Sequence, residues 1–199
     1  TMADEDQRQQ RHHYYYPHPA RYTDVVIPPF RFASVENDIF RGAYPTLRNF
    51  RYLSRLRLRM VLSLTPEPPI ADLAKFCQIE GIQLVHIQAE KSTAEVAPFT
   101  LSAAARALTL LLADENRPAY LHCLDGGNVT GCLVLLLRKL QLWAPAAQHS
   151  EFLRHAGEGG AVPRPVELLA REFAADGVVL GGGAPPRWLW GGRARVAPP

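Results

Sequence analysis

Residues 120–131 read YLHCLDGGNVTG, and this stretch decides the fold. The apolar run PAYLHC (118–123) has strand character and ends on His122 and Cys123. A loop with two glycines, Gly126 and Gly127, follows, and TGCLVLLLRKLQLW (130–143) then continues as an apolar helical run. A buried strand, a glycine loop and a helix N-terminus in direct succession make an anion site, because free backbone N–H groups and the helix dipole converge on one spot. Cys123 falls at the bottom of that cradle, where such groups lower a thiol pKa and create a nucleophile. A small buried hydrophobe would occupy the same position, and the residues alone leave both readings open.

Working outward, short apolar runs alternate with helical periods. DIFRGAY reads as a strand or the start of a hairpin, and PTLRNFRYLSRL as a helix with Pro45 at its first turn and Leu47, Phe50, Leu53 and Leu56 at helical spacing. RMVLSL is a strand stopped by TPEPP, IADLAKFCQIEG a helix stopped by Gly81, and IQLVHIQ another strand. A polar loop, AEKSTAEVAP, leads to a long helix in FTLSAAARALTLLLADE; APAAQHSEFLRHA and PRPVELLAREFAA supply two more helices after the central unit. This order predicts an α/β fold of three layers, a mostly parallel central sheet flanked by helices. The expected organisation is a low-complexity tail over 1–26, one domain over 27–175, and a Gly/Pro-rich extension over 176–199. Trp188 and Trp190 in that extension fit a docking segment or a segment packed back on the domain.

Composition excludes more than it assigns. The chain has 199 residues, 47% hydrophobic and 21% charged, enough for one core without disulfides or metals. A formal charge of +3 argues little for nucleic acid, and Arg48, Arg51 and Arg55 would share one solvated helix face. Three irregularly spaced cysteines, Cys77, Cys123 and Cys132, suggest a reducing compartment, and a cytoplasmic protein is expected. The first residues lack a secretory apolar region, and no 18-residue apolar span exists to cross a membrane. No cofactor and no metal are expected: His12 and His13 are adjacent but lack partners, and His86 sits in a core strand.

The central stretch resembles the signature of the cysteine-dependent phosphatases: His-Cys, five residues, Arg, Ser or Thr, Gly. Its continuation through TGCL, RKLQ and Trp143, and the upstream NDIFRGAYPTLRNFRYLSRLRLRMVLSLTPEPP, are similar to the plant and fungal atypical dual-specificity phosphatases, which include the yeast Oca-type proteins. The resemblance runs from about Ile27 to Ala175 and implies a dual-specificity or tyrosine phosphatase-like fold. It places Cys123 on the nucleophile that forms a phosphocysteine and His122 on the residue supporting the thiolate. Thr130 matches the hydroxyl that helps the thiolate leave, and Gly131 the first helical turn. Leu124, Asp125, Gly126, Gly127 and Asn128 fill the phosphate loop, Gly126 on its glycine.

Two departures stand out. Val129 occupies the position of the signature arginine, and Asp125, like Gly127 and Asn128, stands where active members commonly carry basic residues. The missing guanidinium would hold two phosphoryl oxygens and stabilise their transition-state charge. Losing one such donor costs on the order of 3 kcal/mol, roughly 100- to 1,000-fold in rate. A carboxylate at 125 repels an anion and disfavours the thiolate. Arg138 and Lys139 lie about 10 Å or more along the helix axis, too far to reach back. A general acid is sought in AEKSTAEVAP, where Glu90 and Glu95 are available. These features predict a pseudophosphatase, a protein-binding or structural subunit of a larger assembly that uses the tail and Trp188/Trp190, with a poor grip on phosphate. The alternative is a weakly active or unusual tyrosine, dual-specificity or inositol pyrophosphate phosphatase that uses Cys123, on a substrate of low charge or with an arginine supplied by a partner.

Overall fold

The computed structural model describes residues 25–91, 93, 95–156, 161–179, 186, 188 and 189. In chain order these form β1 (Ala33–Glu36), β2 (Ile39–Ala43), α1 (Leu47–Arg55), β3 (Met60–Thr65), α2 (Ala71–Glu80) and β4 (Gln83–Gln88). Then come α3 (Leu101–Leu112), β5 (Ala119–Cys123), α4 (Asn128–Leu140), α5 (Pro145–Ala156) and α6 (Arg164–Glu172), with 3-10 turns at 114–116 and 175–177. The sheet order is β1-β2-β5-β3-β4, parallel except for the β1–β2 hairpin. The expected three-layer, mostly parallel architecture is therefore present. Within DIFRGAY only Ile39–Ala43 is strand, and its antiparallel partner β1 precedes it, outside the runs with strand character in the sequence.

β5 is buried throughout and runs between β2 and β3, with Cys123 opposite Ala43 and His122 opposite both Gly42 and Ser63. Side-chain alternation splits the core. Leu62, Leu64, Leu121 and Cys123 pack against α3, α4 and Phe152 of α5, whereas Val61 and Tyr120 pack with Phe50 of α1 and Phe76 of α2. α4 is enclosed along nearly its whole length, from Val129 to Arg138 without an exposed residue, which is why its sequence is apolar on all faces. It starts at Asn128, two residues before its apolar run.

On α1, Leu47 departs from the expected core stripe and is exposed, while Asn49 is buried in its place. Asn49 Oδ1 accepts from the Thr46 N–H at 2.9 Å and from Thr46 Oγ1 at 3.0 Å, closing the helix start. Its Nδ2 donates to the carbonyls of Ile27 and Pro28 at 3.2 and 3.0 Å, pinning the incoming chain to α1. Trp188 rests against the domain's own core beside the fully buried Leu189, its ring 5.8 Å from the Arg117 guanidinium. Trp190, His12, His13 and residues 1–24 lie outside the described residues.

Candidate active site

The loop that leaves β5 is shaped by two glycines of different elements that meet face to face. Gly126 has φ +74°, and a Cβ there would lie 2.5 Å from the Gly42 carbonyl carbon and 2.6 Å from the Ala43 N, so no other residue fits. Gly42 in turn has no room for a Cβ beside the Tyr120 hydroxyl, which donates to the Ala43 carbonyl at 2.6 Å. The Tyr44 N–H donates to the Leu124 carbonyl at 3.2 Å. The FRGAY stretch of β2 and the CLDGG loop are thus two halves of one close contact. α4 begins immediately after, and the N–H groups of its first turn have no acceptors within the helix.

Cys123 is buried at the bottom of this turn and donates to Asp125 Oδ1 at 3.4 Å. The same carboxylate oxygen accepts the Gly127 N–H at 2.9 Å, and its Oδ2 meets Arg31 Nη1 at 2.7 Å. Partial burial pushes the Asp125 carboxyl up, but the Gly127 N–H, the Cys123 thiol and the Arg31 guanidinium outweigh it and hold the group below the usual carboxylate range. Asp125 therefore does more than add a negative charge: it is folded inward onto the sulfur. Leu124 is exposed, Asn128 half-buried, and Val129 packs its side chain into the core.

His122 is fully buried, its ring stacked on Tyr120 and edge-on to Tyr44 at centroid distances of 5.8 and 5.0 Å. Burial pushes its pKa down to about 4, so the ring is neutral at neutral pH. Its Nδ1 lies 3.4 Å from the Cys123 carbonyl, and Nε2 has no partner among the described residues. Thr130 Oγ1 is likewise buried and unpartnered there. Gly131 sits against the Phe152 ring in the first turn of α4.

Two arginines that the sequence reading did not assign to the site converge on the loop. Arg41 of β2, 1% exposed, donates through Nη2 to the carbonyls of Gly126 and Gly127 at 2.9 and 3.4 Å. Burial pushes its pKa down to about 10, and its Nε and Nη1 have no partner among the described residues. With the two carbonyls drawn toward Arg41, that side chain fixes the peptide planes of the loop from outside it. Arg31 approaches from the chain before β1, and donates to the Asp125 carbonyl as well as its carboxylate. The signal for Arg41 was its place inside FRGAYP; nothing local marked Arg31.

The other expectations resolve cleanly. Arg138 and Lys139 do not reach the loop. Arg138 is bound to Glu36, Glu151, Gln141 and the Val35 carbonyl, and Lys139 donates to the carbonyls of Ala170, Arg171 and Phe173. Glu90 and Glu95 are exposed in the loop before α3, and neither carboxylate is hydrogen-bonded to the 124–131 loop among the described residues. Glu90 Oε1 accepts from Gln88 at 3.4 Å. His86 Nε2 is satisfied by the Thr65 carbonyl at 2.8 Å. No helix of the described residues is long and apolar enough to cross a membrane.

Residues 26–167 match the family model described as "Tyrosine phosphatase family". The chain is 36% identical over 134 residues to Inositol diphosphatase DSP3 of Arabidopsis thaliana, covering 67% of this chain and 66% of the relative, so it spans about two thirds of that protein's length. It is 30% identical over 142 residues to the putative tyrosine-protein phosphatase OCA6 of Saccharomyces cerevisiae, covering 64% of this chain and 63% of the relative. Among solved structures, the core catalytic domain of the PP-IP phosphatase SIW14 from S. cerevisiae, in complex with citrate, superposes with a TM-score of 0.69 at 29% identity. That superposition covers 76% of this chain and 90% of the yeast domain. The resemblance to the plant and fungal phosphatases therefore holds. The expectation of a non-catalytic, protein-binding subunit does not: the relatives are named for phosphatase activity. That expectation weighed only arginines within the loop and its helix, whereas guanidinium groups here arrive from β2 and from the chain before β1.

Proposed function

We propose that this chain, which belongs to the tyrosine phosphatase family, is a cysteine-dependent phosphatase of the kind represented by the inositol diphosphatases and the Oca-type tyrosine phosphatases. The observation that carries this reading is the position of Cys123 Sγ. It sits at the bottom of a glycine loop, beside the Gly127 N–H and the start of α4, with two guanidinium groups on the same loop. The thiol first loses its proton, and the thiolate attacks phosphorus. A P–S bond forms as the P–O bond to the leaving group breaks, and the leaving oxygen takes up a proton. Water then attacks the phosphocysteine, breaking P–S, releasing inorganic phosphate and restoring the thiolate. N–H groups of the loop and the α4 dipole stabilise the phosphoryl charge in both steps. Thr130, whose hydroxyl has no partner among the described residues, assists departure of the thiolate from the intermediate. The chemistry needs Cys123 as a free thiol, and the three described cysteines are all unpaired, which favours a reducing, cytoplasmic setting.

The test is phosphate release by wild type and Cys123→Ser from p-nitrophenyl phosphate, a phosphotyrosine peptide and an inositol pyrophosphate. Wild-type turnover of at least one substrate, abolished by Cys123→Ser, is the expected result. No turnover on any of them, or turnover unaffected by the serine, overturns the reading.

A further inference from the structure

Asp125 is exposed, yet its carboxylate holds the partners of a ligand. Its carboxylate touches the sulfur that must meet phosphorus and takes a loop N–H that should meet a phosphoryl oxygen. Two anions cannot share those partners, so an incoming phosphoryl group has to displace it. When it leaves, the Arg31 guanidinium loses a carboxylate partner at 2.7 Å while remaining above the loop: a Cβ on Gly127 would lie 3.0 Å from Arg31 Nη1.

Arg31 is also held there at a cost. Its φ is +53°, in the left-handed region that side chains disfavour. Three hydrogen bonds around it enforce the conformation: Ala43 N–H to the Phe30 carbonyl at 2.8 Å, Phe32 N–H to the Pro29 carbonyl at 3.2 Å, and Asn49 Nδ2 to the Pro28 carbonyl at 3.0 Å. The Phe30 ring lies 5.0 Å from the guanidinium and supports it from the other side. The turn so pinned aims the guanidinium at the Asp125 carboxylate and carbonyl.

We propose that Asp125 and Arg31 form an exchangeable latch, in which the Asp125 carboxylate is a built-in competitor for the phosphoryl site and Arg31 is the guanidinium that binds the phosphoryl group once Asp125 swings out. Arg31 thereby takes over, from outside the loop, the role left open by Val129. Asp125 is 63% exposed at its side chain and Arg31 24%, so both can turn without disturbing the core. This rests on the phosphatase reading above, and the two can fail separately.

The experiment measures the affinity of inorganic phosphate by calorimetry in wild type, Asp125→Asn, Arg31→Ala and the double variant, with p-nitrophenyl phosphate turnover beside it. Asp125→Asn is expected to tighten phosphate binding by roughly tenfold, since a charged competitor is removed. In that background, Arg31→Ala is expected to weaken binding by roughly tenfold, and Arg31→Lys to restore part of it. If Arg31→Ala changes nothing in the Asp125→Asn background, Arg31 merely holds Asp125 and the proposal is wrong. It is equally wrong if Asp125→Asn leaves phosphate affinity unchanged. Expected shifts in affinity without Cys123-dependent turnover of any of the three substrates named above would sustain the latch and sink the phosphatase assignment; Cys123-dependent turnover with unchanged affinities would do the reverse.

Discussion

At the residue scale the site is defined by which polar groups are buried and what they face. His122 is the clearest case: a neutral imidazole enclosed by Tyr44 and Tyr120 one residue before Cys123. Its pKa falls from 6.5 to about 4 in the folded chain through burial. Below pH 6.5 the unfolded chain therefore takes up a proton that the folded chain refuses. Stability is full above 6.5, declines as pH drops toward about 4, and levels off below; the total is about 3 kcal/mol. His155, depressed mainly by burial, adds a loss of the same sign. Urea unfolding at several pH values should show this decline, and His122→Phe, which keeps a ring in the stack, should remove most of it. An unchanged slope in His122→Phe would mean that His122 is not the titrating group.

Elements meet at the site through backbone, and here the decisive pairing is β2 with the loop after β5. Gly126 and Gly42 bring two main chains into contact, and Arg41 secures the same loop by its carbonyls. Gly126→Ala must accept both a left-handed backbone and a Cβ 2.5 Å from the Gly42 carbonyl carbon. Neither neighbour can yield, because both atoms belong to paired strand backbone. The expected outcome is a loss of about 2 kcal/mol or more in thermal or denaturant unfolding, together with loss of phosphate binding in the folded fraction. Gly81, also at positive φ, offers a control: nothing lies within 4 Å of its Cβ position, so Gly81→Ala should cost stability but leave phosphate binding intact. A Gly126→Ala protein that binds phosphate like wild type would show that the loop shape does not depend on this contact.

Across the whole molecule the arginine once considered for the site turns out to be its scaffold. Arg138 is 4% exposed and joins β1 through Glu36 and the Val35 carbonyl, α5 through Glu151, and its own helix end through Gln141, with the Trp143 ring at 4.3 Å. It ties the sheet edge to the helical layer that supports α4. Arg138→Ala would strand two mostly buried carboxylates, and the expected cost is about 3–5 kcal/mol. For a chain of this size that lowers Tm by on the order of 10 °C. Adding Glu36→Gln and Glu151→Gln to Arg138→Met should recover a large part of that loss. Equal Tm for Arg138→Ala and wild type would remove Arg138 from the scaffold.

The sequence by itself determined the order of strands and helices from β2 onward, the mostly parallel sheet, the family and the cysteine at the strand end; the β1 edge strand it did not show. Those properties are local: period, turn residues and a contiguous motif are written within a dozen residues. It also showed Val129 and Asp125 within the loop motif, but the non-catalytic subunit expected from them does not hold, because charge in a site is summed over space and not along the chain. Arg31 stands 94 residues from Asp125, and Arg41 85 from Gly126. Only the tertiary structure decided that these guanidiniums reach the loop, that Asp125 turns inward onto Cys123, and that Arg138 is spent on Glu36 and Glu151. Contacts of such separation depend on sheet order and on the left-handed turn at Arg31, neither of which leaves a periodic trace in the sequence.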